Sequence, residues 1–586
     1  MFRSHTCNEL CIEHVGHEVT LAGWVHRRRD HGGIIFIDLR DRYGLIQVVF
    51  DDTVDETEFA IAETLRSEFV IQVEGRVRKR LPGTENKDLD TGAVEIEVKS
   101  LKILNEAKAL PFEIDSDETI NEDLRLKYRY LDLRKTRMQK NLVLRHRVIK
   151  KIRDYFDRQD FLEIETPMLI KDTPEGAREY IVPSRLHHGK FYALPQSPQQ
   201  LKQLLMVAGM DRYFQIVRCF RDEDLRGDRQ PEFTQLDLEM SFVDQEDVLD
   251  LLEAMAIELS MECAPQKTMK FKNFPRLTWQ EAMDQYGIDK PDLRFDMKIV
   301  DVSEVVADSD FSVFTNAVKS GGVVRALRVP GLADMTRKEI DDLTEFAKIY
   351  KAKGLAYITM DKDGPKSPIL KFLKPHEITG ILERTEAQEG DIIFFGADRF
   401  DIVCATLGNV RIKMGDRLGL RNPNELAWCW VINFPLYEKD YDTGELSPAH
   451  HPFTMPQDED MAMLDTAPEK ARAKCYDAVL NGYELGSGSI RIHDRTIQKK
   501  IFQVIGLGDA EIQERFGHML DAFEYGAPPH GGMAWGIDRL VMIFADEPNI
   551  REVIAFPKNQ SAQDLMLDAP STVKEKTLKE LGLLKK

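Results

Sequence analysis

The hydrophobic and polar positions of this chain alternate most clearly between Tyr213 and Phe242. In the run Phe233–Phe242, Phe233, Gln235, Asp237 and Glu239 fall on one face of a strand. Leu236, Leu238, Met240 and Phe242 fall on the other. With Tyr213–Phe220 before it, this predicts a hairpin whose apolar face is core. The opposite face carries an aromatic ring, an amide and two carboxylates, which is unlike a plain solvated face. Arg221 and Glu223 follow the first strand. An ordinary amphipathic hairpin would show the same alternation, but these side chains gathered on one surface can hold a flat, polar, charged ligand.

Period-two runs also organise the first 108 residues. Val19–Val25, Ile34–Leu39, Leu45–Phe50, Phe69–Arg78 and Val94–Ile103 read as five strands, with a helix over Asp55–Ser67. Five strands with a helix before the fourth predict an OB-fold barrel, a fold that binds single strands in a basic groove lined by aromatics. Thr136–Arg158 has helical spacing, with Leu142, Leu144, Val148, Ile149, Ile152 and Phe156 on one side. Phe161–Thr166 reads as a strand ended by Pro167. Between Lys290 and Arg421, strands at Val323–Val329, Leu355–Met360 and Asp391–Gly396 alternate with helices near Arg337–Ala352 and Lys374–Arg384. No catalytic constellation stands out there. Asp477 and Glu484 would be two turns apart if a helix continued through them. The pair His450–His451 has no third metal ligand near it in sequence.

Composition narrows the class. A chain of 586 residues, 42% hydrophobic and 31% charged, is expected to form three or four globular domains. Its apolar runs are too short for a membrane helix, and MFRSHTCNEL has no secretory h-region, so a cytoplasmic protein without membrane contact is expected. The seven cysteines form no CxxC pair and are expected to be reduced. The net charge of −20 opposes loose polyanion binding, DNA included. Basic clusters at His26–Arg29, Arg76–Arg80 and Arg125–Arg153 fit one anionic partner held at defined places.

Three segments resemble the class II aminoacyl-tRNA synthetases. FLEIETP (Phe161–Pro167) is similar to their motif 1, Arg221 with Glu223 to motif 2, and GGMAWGIDRL (Gly531–Leu540) to motif 3. QSPQ (Gln196–Gln199), FRDEDLR (Phe220–Arg226), RQPEFTQLD (Arg229–Asp237) and GYELGSGSIR (Gly482–Arg491) resemble the bacterial aspartyl branch, over nearly the whole chain. The resemblance implies a multidomain α+β architecture. An OB-fold anticodon-binding domain (1–108) and a hinge (109–135) precede an antiparallel-sheet catalytic domain in two parts (136–287 and 425–560). The parts are separated by an inserted α+β domain (288–424) and followed by an extension (561–586). It also implies a homodimer through motif 1.

Residue roles follow from the same resemblance. Arg221 and Arg539 are the expected catalytic groups, and they bind ATP together with Glu223, Gln230, Phe233 and Glu484. Asp477 and Glu484 are the expected Mg2+ ligands. L-aspartate is expected to meet Glu175, Ser197, Gln199, Lys202, Gln235, Asp237, His450 and Arg491, with Glu175 on a mobile flap. The anticodon is expected at Arg27, Arg29, His31, Phe36, Gln47, Arg78, Gly83 and Glu95. Relatives that charge only tRNA(Asp) tend to carry Leu and Lys where this chain has His31 and Gly83. Relaxed relatives that also charge tRNA(Asn) resemble this chain, so both tRNAs are expected partners. A strictly tRNA(Asp)-specific enzyme is the alternative. A lysine- or asparagine-specific relative is disfavoured by Arg491 and by the insertion, and a tRNA-binding pseudo-enzyme by the intact Arg221, Arg539, Asp477 and Glu484.

Overall fold

The structure is a computed structural model that describes residues 2–115, 119–172, 176–225, 227–440 and 443–584. Two compact units divide it, Met1–Lys140 and Asn141–Lys586. Among the described residues no helix is long and apolar enough to cross a membrane.

The first unit is built on a closed barrel. Strands β1 (Glu18–Asp30), β2 (Ile35–Arg40), β3 (Leu45–Phe50), β4 (Val70–Lys79) and β5 (Val94–Asn105) close in the order β1-β2-β3-β5-β4. Helix α1 (Glu56–Thr64) bridges β3 and β4, and the Asp55 carboxylate caps it by accepting from the Thr57 amide. Alternate side chains such as Leu21, Ile37, Val48, Ile71 and Ile96 fill the barrel completely. Strand β1 runs five residues past the expected Val25. The basic stretch Arg27–Asp30 pairs with β2, Arg29 opposite Phe36, despite having no apolar alternation.

Helix α2 (Thr136–Arg158) begins in the first unit, and in the second it presses Val148, Ile152 and Phe156 into the main core. The expected strand after it shrinks to β6 (Leu162–Glu163). Helix α3 (Gln199–Val207), the hairpin β7 (Arg212–Phe220) and β8 (Glu232–Ser241), helix α4 (Gln245–Cys263) and β9 (Arg276–Thr278) follow. A separate antiparallel sheet then forms from β10 (Ile299–Asp301), β11 (Val323–Val329), β12 (Ala356–Asp361), β13 (Gly364–Lys366) and β14 (Ile392–Asp398), in the order β10-β11-β14-β12-β13. Helix α5 (Phe400–Arg417) leads back to β15 (Trp428–Ile432), β16 (Cys475–Leu480), β17 (Tyr483–Ile490), β18 (His530–Gly536) and helix α6 (Ile537–Phe544). These strands complete an eight-stranded sheet ordered β9-β15-β16-β17-β18-β8-β7-β6. It is antiparallel except at its two edges.

Two sequence expectations fail here for clear reasons. Phe242 is not core. The strand ends at Ser241, and Phe242 turns to φ 57° and is 73% exposed. Asp477 and Glu484 do not share a helix. They lie on the hairpin β16–β17, turned by Asn481 (φ 54°) and Gly482 (φ 86°). Two consecutive left-handed residues are the tight-hairpin signature, and Asn-Gly is its best sequence signal.

Candidate active site

The cleft on this sheet encloses about 430 Å³. Its floor is the polar face of β8 and the neighbouring strands β17 and β18. A side chain at Gly532 on β18 would collide with Glu239 and with the Leu238 carbonyl, so only glycine lets the carboxylate cross the sheet surface. The leucine face of β8, Leu236 and Leu238, packs into the main core.

Four fully buried charges form one end. Lys202 Nζ of α3 lies 2.9 Å from Asp237 Oδ2 and 3.2 Å from Glu239 Oε2. Arg491, just past β17, donates from Nε to Glu239 Oε1 at 2.9 Å and from Nη1 to Ser489 Oγ at 2.6 Å. Its Nη1 also lies 2.6 Å from His451 Nε2. His451 Nδ1 accepts from the Phe453 amide at 3.2 Å, and burial together with Arg491 holds this imidazole well below its usual range. The two cations and two carboxylates balance. Asp237 Oδ1 has no hydrogen-bond partner among the described residues, although Asp237 lines the cleft. Burial pushes the Asp237 carboxyl up to about 6, against the pull of Lys202.

At the other end the Arg221 guanidinium lies over the Phe233 ring, 5.1 Å from its centroid, and its buried Nε has no hydrogen-bond partner among the described residues. Arg539 on α6 donates from Nη1 to the Glu484 carbonyl at 2.7 Å, and its Nη2 lies 3.1 Å from Asp228 Oδ2. Gln230 is fixed by the Lys558 backbone, and Glu223 lies 3.3 Å from Arg229 Nη1.

The cleft thus gathers Ser197, Gln199, Lys202, Arg221, Glu223, Gln230, Phe233, Gln235, Asp237, His450, Glu484, Arg491 and Arg539. Asp477 is buried, and burial followed by the charge of Glu484 drives its carboxyl well above the usual range. Its Oδ1 has no hydrogen-bond partner among the described residues. An acidic pair with an orphaned oxygen suits a hard divalent cation, so the pair fits Mg2+. Glu175 lies outside the described residues. Two residues that sequence reasoning missed are central, Glu239 and His451. The strand alternation already placed Glu239 on the ligand face beside Asp237. No third ligand lies near His450 in sequence, but the fold brings Cys475 and Asp477 to it.

On the barrel, four of the residues expected to meet RNA, Arg29, Gln47, Arg78 and Glu95, share one network. Arg29 Nη2 lies 2.6 Å from Asp38 Oδ1 and 3.3 Å from Gln47 Oε1. Gln47 donates to Glu95 at 2.8 Å, and Glu95 accepts from Arg78 at 2.8 Å. Phe36 meets the His31 ring edge-on, with centroids 5.9 Å apart. Arg27 is exposed and pairs in register with Asp38 on β2. Gly83 sits at φ 86° with open space around it.

Comparison with known proteins agrees with this geometry. Residues 121–560 match the family described as tRNA synthetases class II (D, K and N), and residues 19–104 match an OB-fold nucleic acid binding domain. The chain is 53% identical to an aspartate–tRNA(Asp/Asn) ligase of Heliobacterium modesticaldum, over 99% of this chain and 96% of that one. It is 52% identical to the enzyme of the same name from Bacillus subtilis, over 99% and 98%. The asparaginyl-tRNA synthetase of Pyrococcus horikoshii complexed with asparaginyl-adenylate shares the fold, with a TM-score of 0.60 at 18% identity over 95% of this chain and 98% of that one. The chain belongs to the class II tRNA synthetases of the D, K and N group.

Proposed function

We propose that this chain is an aspartate–tRNA ligase that charges both tRNA(Asp) and tRNA(Asn). The observation that carries the aspartate reading is the buried quartet Lys202, Asp237, Glu239 and Arg491 at the cleft, in which Asp237 Oδ1 has no hydrogen-bond partner among the described residues. Asp237 takes the α-ammonium, with Gln199 and Gln235 beside it. Arg491, backed by Lys202, takes the side-chain carboxylate. Asparagine presents a neutral amide there and leaves the cationic end short of a counter-charge, a strong ground for rejection.

Chemistry proceeds by positioning, with no covalent enzyme intermediate. An oxygen of the aspartate α-carboxylate attacks the α-phosphorus of ATP, the P–O bond to the β-phosphate breaks, and pyrophosphate leaves. Arg221 holds the α-phosphate and the carboxylate together with its planar, permanently charged fork. Phe233 and Arg539 enclose the adenine, and Arg539 exchanges Asp228 for the γ-phosphate. Asp477 and Glu484 hold Mg2+, which when bound neutralises phosphate charge. A ribose hydroxyl of the terminal tRNA adenosine then attacks the activated carbonyl carbon, and AMP leaves.

The barrel face around Phe36, Gln47 and Arg78 reads the anticodon by stacking and polar contacts to splayed bases. Residues 288–424 form the inserted domain, and 561–586 an extension. The protein works as a homodimer through α2 and β6, where Val143 and Leu162 are exposed apolar side chains. The names of the relatives support charging of tRNA(Asn). ATP–pyrophosphate exchange tests the reading. It should depend on aspartate and not on asparagine or lysine, and exchange driven by either of those would overturn it.

A further inference from the structure

At the wall of the cleft, one side-chain cluster combines a group assigned above to Mg2+, Asp477, with two donors that the chemistry above does not use as metal ligands, His450 and Cys475. Cys475 and Asp477 are two residues apart on β16, so both point to the same side of the sheet. His450 comes to them from the loop before β16. One donor atom from each of the three lies within 4.8 Å of the other two. The imidazole is held from two sides. Ser487, opposite Asp477 on β17, places Oγ 3.1 Å from Nδ1, which leaves Nε2 for another partner. The Phe434 ring packs perpendicular to it at 4.6 Å. Asp477 is 4% exposed, and its Oδ1 has no hydrogen-bond partner among the described residues.

We propose that His450, Cys475 and Asp477 form a site for a borderline divalent cation of the Zn2+ type, distinct in chemistry from the Mg2+ pair. One nitrogen, one sulfur and one oxygen donor form a zinc donor set, with His450 and Cys475 lining the cleft, whereas Mg2+ takes oxygen ligands and water. Zinc bonds of about 2.0–2.3 Å hold tetrahedral donors roughly 3.5 Å apart, so closing around the ion from separations of up to 4.8 Å needs only sub-ångström side-chain shifts. Ser487 is the outer-shell partner that orients the ring. Because Asp477 belongs to both sets, Zn2+ bound here removes a ligand from the Mg2+ pair and lowers ATP use. That consequence rests on the ligase reading, while occupancy of the site does not.

The test is Co2+ titration of the chelator-treated full-length protein, followed in the near-ultraviolet where cobalt–thiolate charge transfer absorbs. One Co2+ per chain, displaced by Zn2+, is expected. Cys475→Ser should abolish the band, His450→Gln should weaken binding at least tenfold, and Ser487→Ala should weaken it by about tenfold. Cys11→Ser is the control, because Cys11 Sγ lies 3.3 Å from His14 Nδ1 at the surface. It should leave the band unchanged. X-ray absorption of the Zn2+-loaded wild type should show one sulfur neighbour, a readout that needs no variant to fold. No band, a band lost only with Cys11→Ser, or zinc surrounded by nitrogen and oxygen alone would overturn the site.

Discussion

Arg491 Nε rests 2.9 Å from Glu239 Oε1, and both side chains are out of contact with solvent. The carboxylate fixes the plane of the guanidinium before any substrate arrives. Glu239→Gln keeps the shape and removes the charge. A hydrogen bond between charged groups contributes about 1.5–3 kcal/mol, so KM for aspartate should rise about tenfold or more while kcat changes little. The melting temperature should fall as well, since a buried cation loses its partner. Steady-state exchange kinetics with unchanged KM would show that Glu239 does not position Arg491.

The Asp237 carboxyl gives a pH dependence of defined sign. Burial raises it to about 6, above the ordinary aspartate value, despite Lys202. Only its ionised form accepts the substrate ammonium, so KM for aspartate should climb as pH falls through about 6. The stability effect runs the other way. The neutral acid is the form that burial favours, so its contribution is present at low pH and is lost as pH rises through about 6. In Asp237→Asn the acid limb of the KM profile should vanish, with aspartate binding weak at every pH. An unchanged limb would assign it to another group.

The Arg221 guanidinium is held over the Phe233 ring at the cleft wall. Losing a contact made to the transition-state phosphate costs about 3–4 kcal/mol. Arg221→Ala should therefore lower aspartate-dependent exchange by two to three orders of magnitude, with tRNA affinity retained in a filter-binding assay. Equal loss of both would mean that the substitution unfolds the cleft.

How far the sequence revealed the site depended on whether each residue sits in a periodic run. Phe233, Gln235 and Asp237 alternate with leucines on one continuous strand, so their common face was legible. Glu239 continues that face, but its bond to Arg491 spans 252 positions and no local pattern encodes it. Asp477 and Glu484 were misplaced because spacing of seven fits a helix, and the Asn481-Gly482 turn between two apolar runs was the stronger signal. The barrel was legible from alternation except at Arg27–Asp30. There strand pairing, not burial, keeps the backbone extended.

Motif 1 carries a claim about assembly. Leu162 is 51% exposed on the edge strand β6, and Val143 is 37% exposed on α2. Sedimentation at micromolar protein should give twice the chain mass of 67.3 kDa, and Leu162→Glu should shift the population towards monomer. A fully active monomer would refute the homodimer.

The choice between tRNA(Asp) and tRNA(Asn) turns on one base, C against U at the third anticodon position. A good polar contact to a base edge discriminates by about 1–3 kcal/mol. His31 lies at the hairpin beside Phe36, with its ring 5.9 Å from the phenyl, where a stacked base can reach it. Imidazole can donate or accept and so tolerates either base. Gly83 offers no side chain, and the space around it is open. Its φ of 86° means that a lysine there carries backbone strain, which affects folding rather than the ratio of the two tRNAs. His31→Leu and Gly83→Lys should each shift the ratio of kcat/KM values towards tRNA(Asp), with the exchange reaction unchanged. The wild type should charge both transcripts within about a thousandfold of each other, because a larger gap, above about 4 kcal/mol, exceeds the ~1–3 kcal/mol that a contact to one base can supply. Charging of tRNA(Asn) weaker than that would make the enzyme strictly tRNA(Asp)-specific and reduce His31 and Gly83 to turn residues.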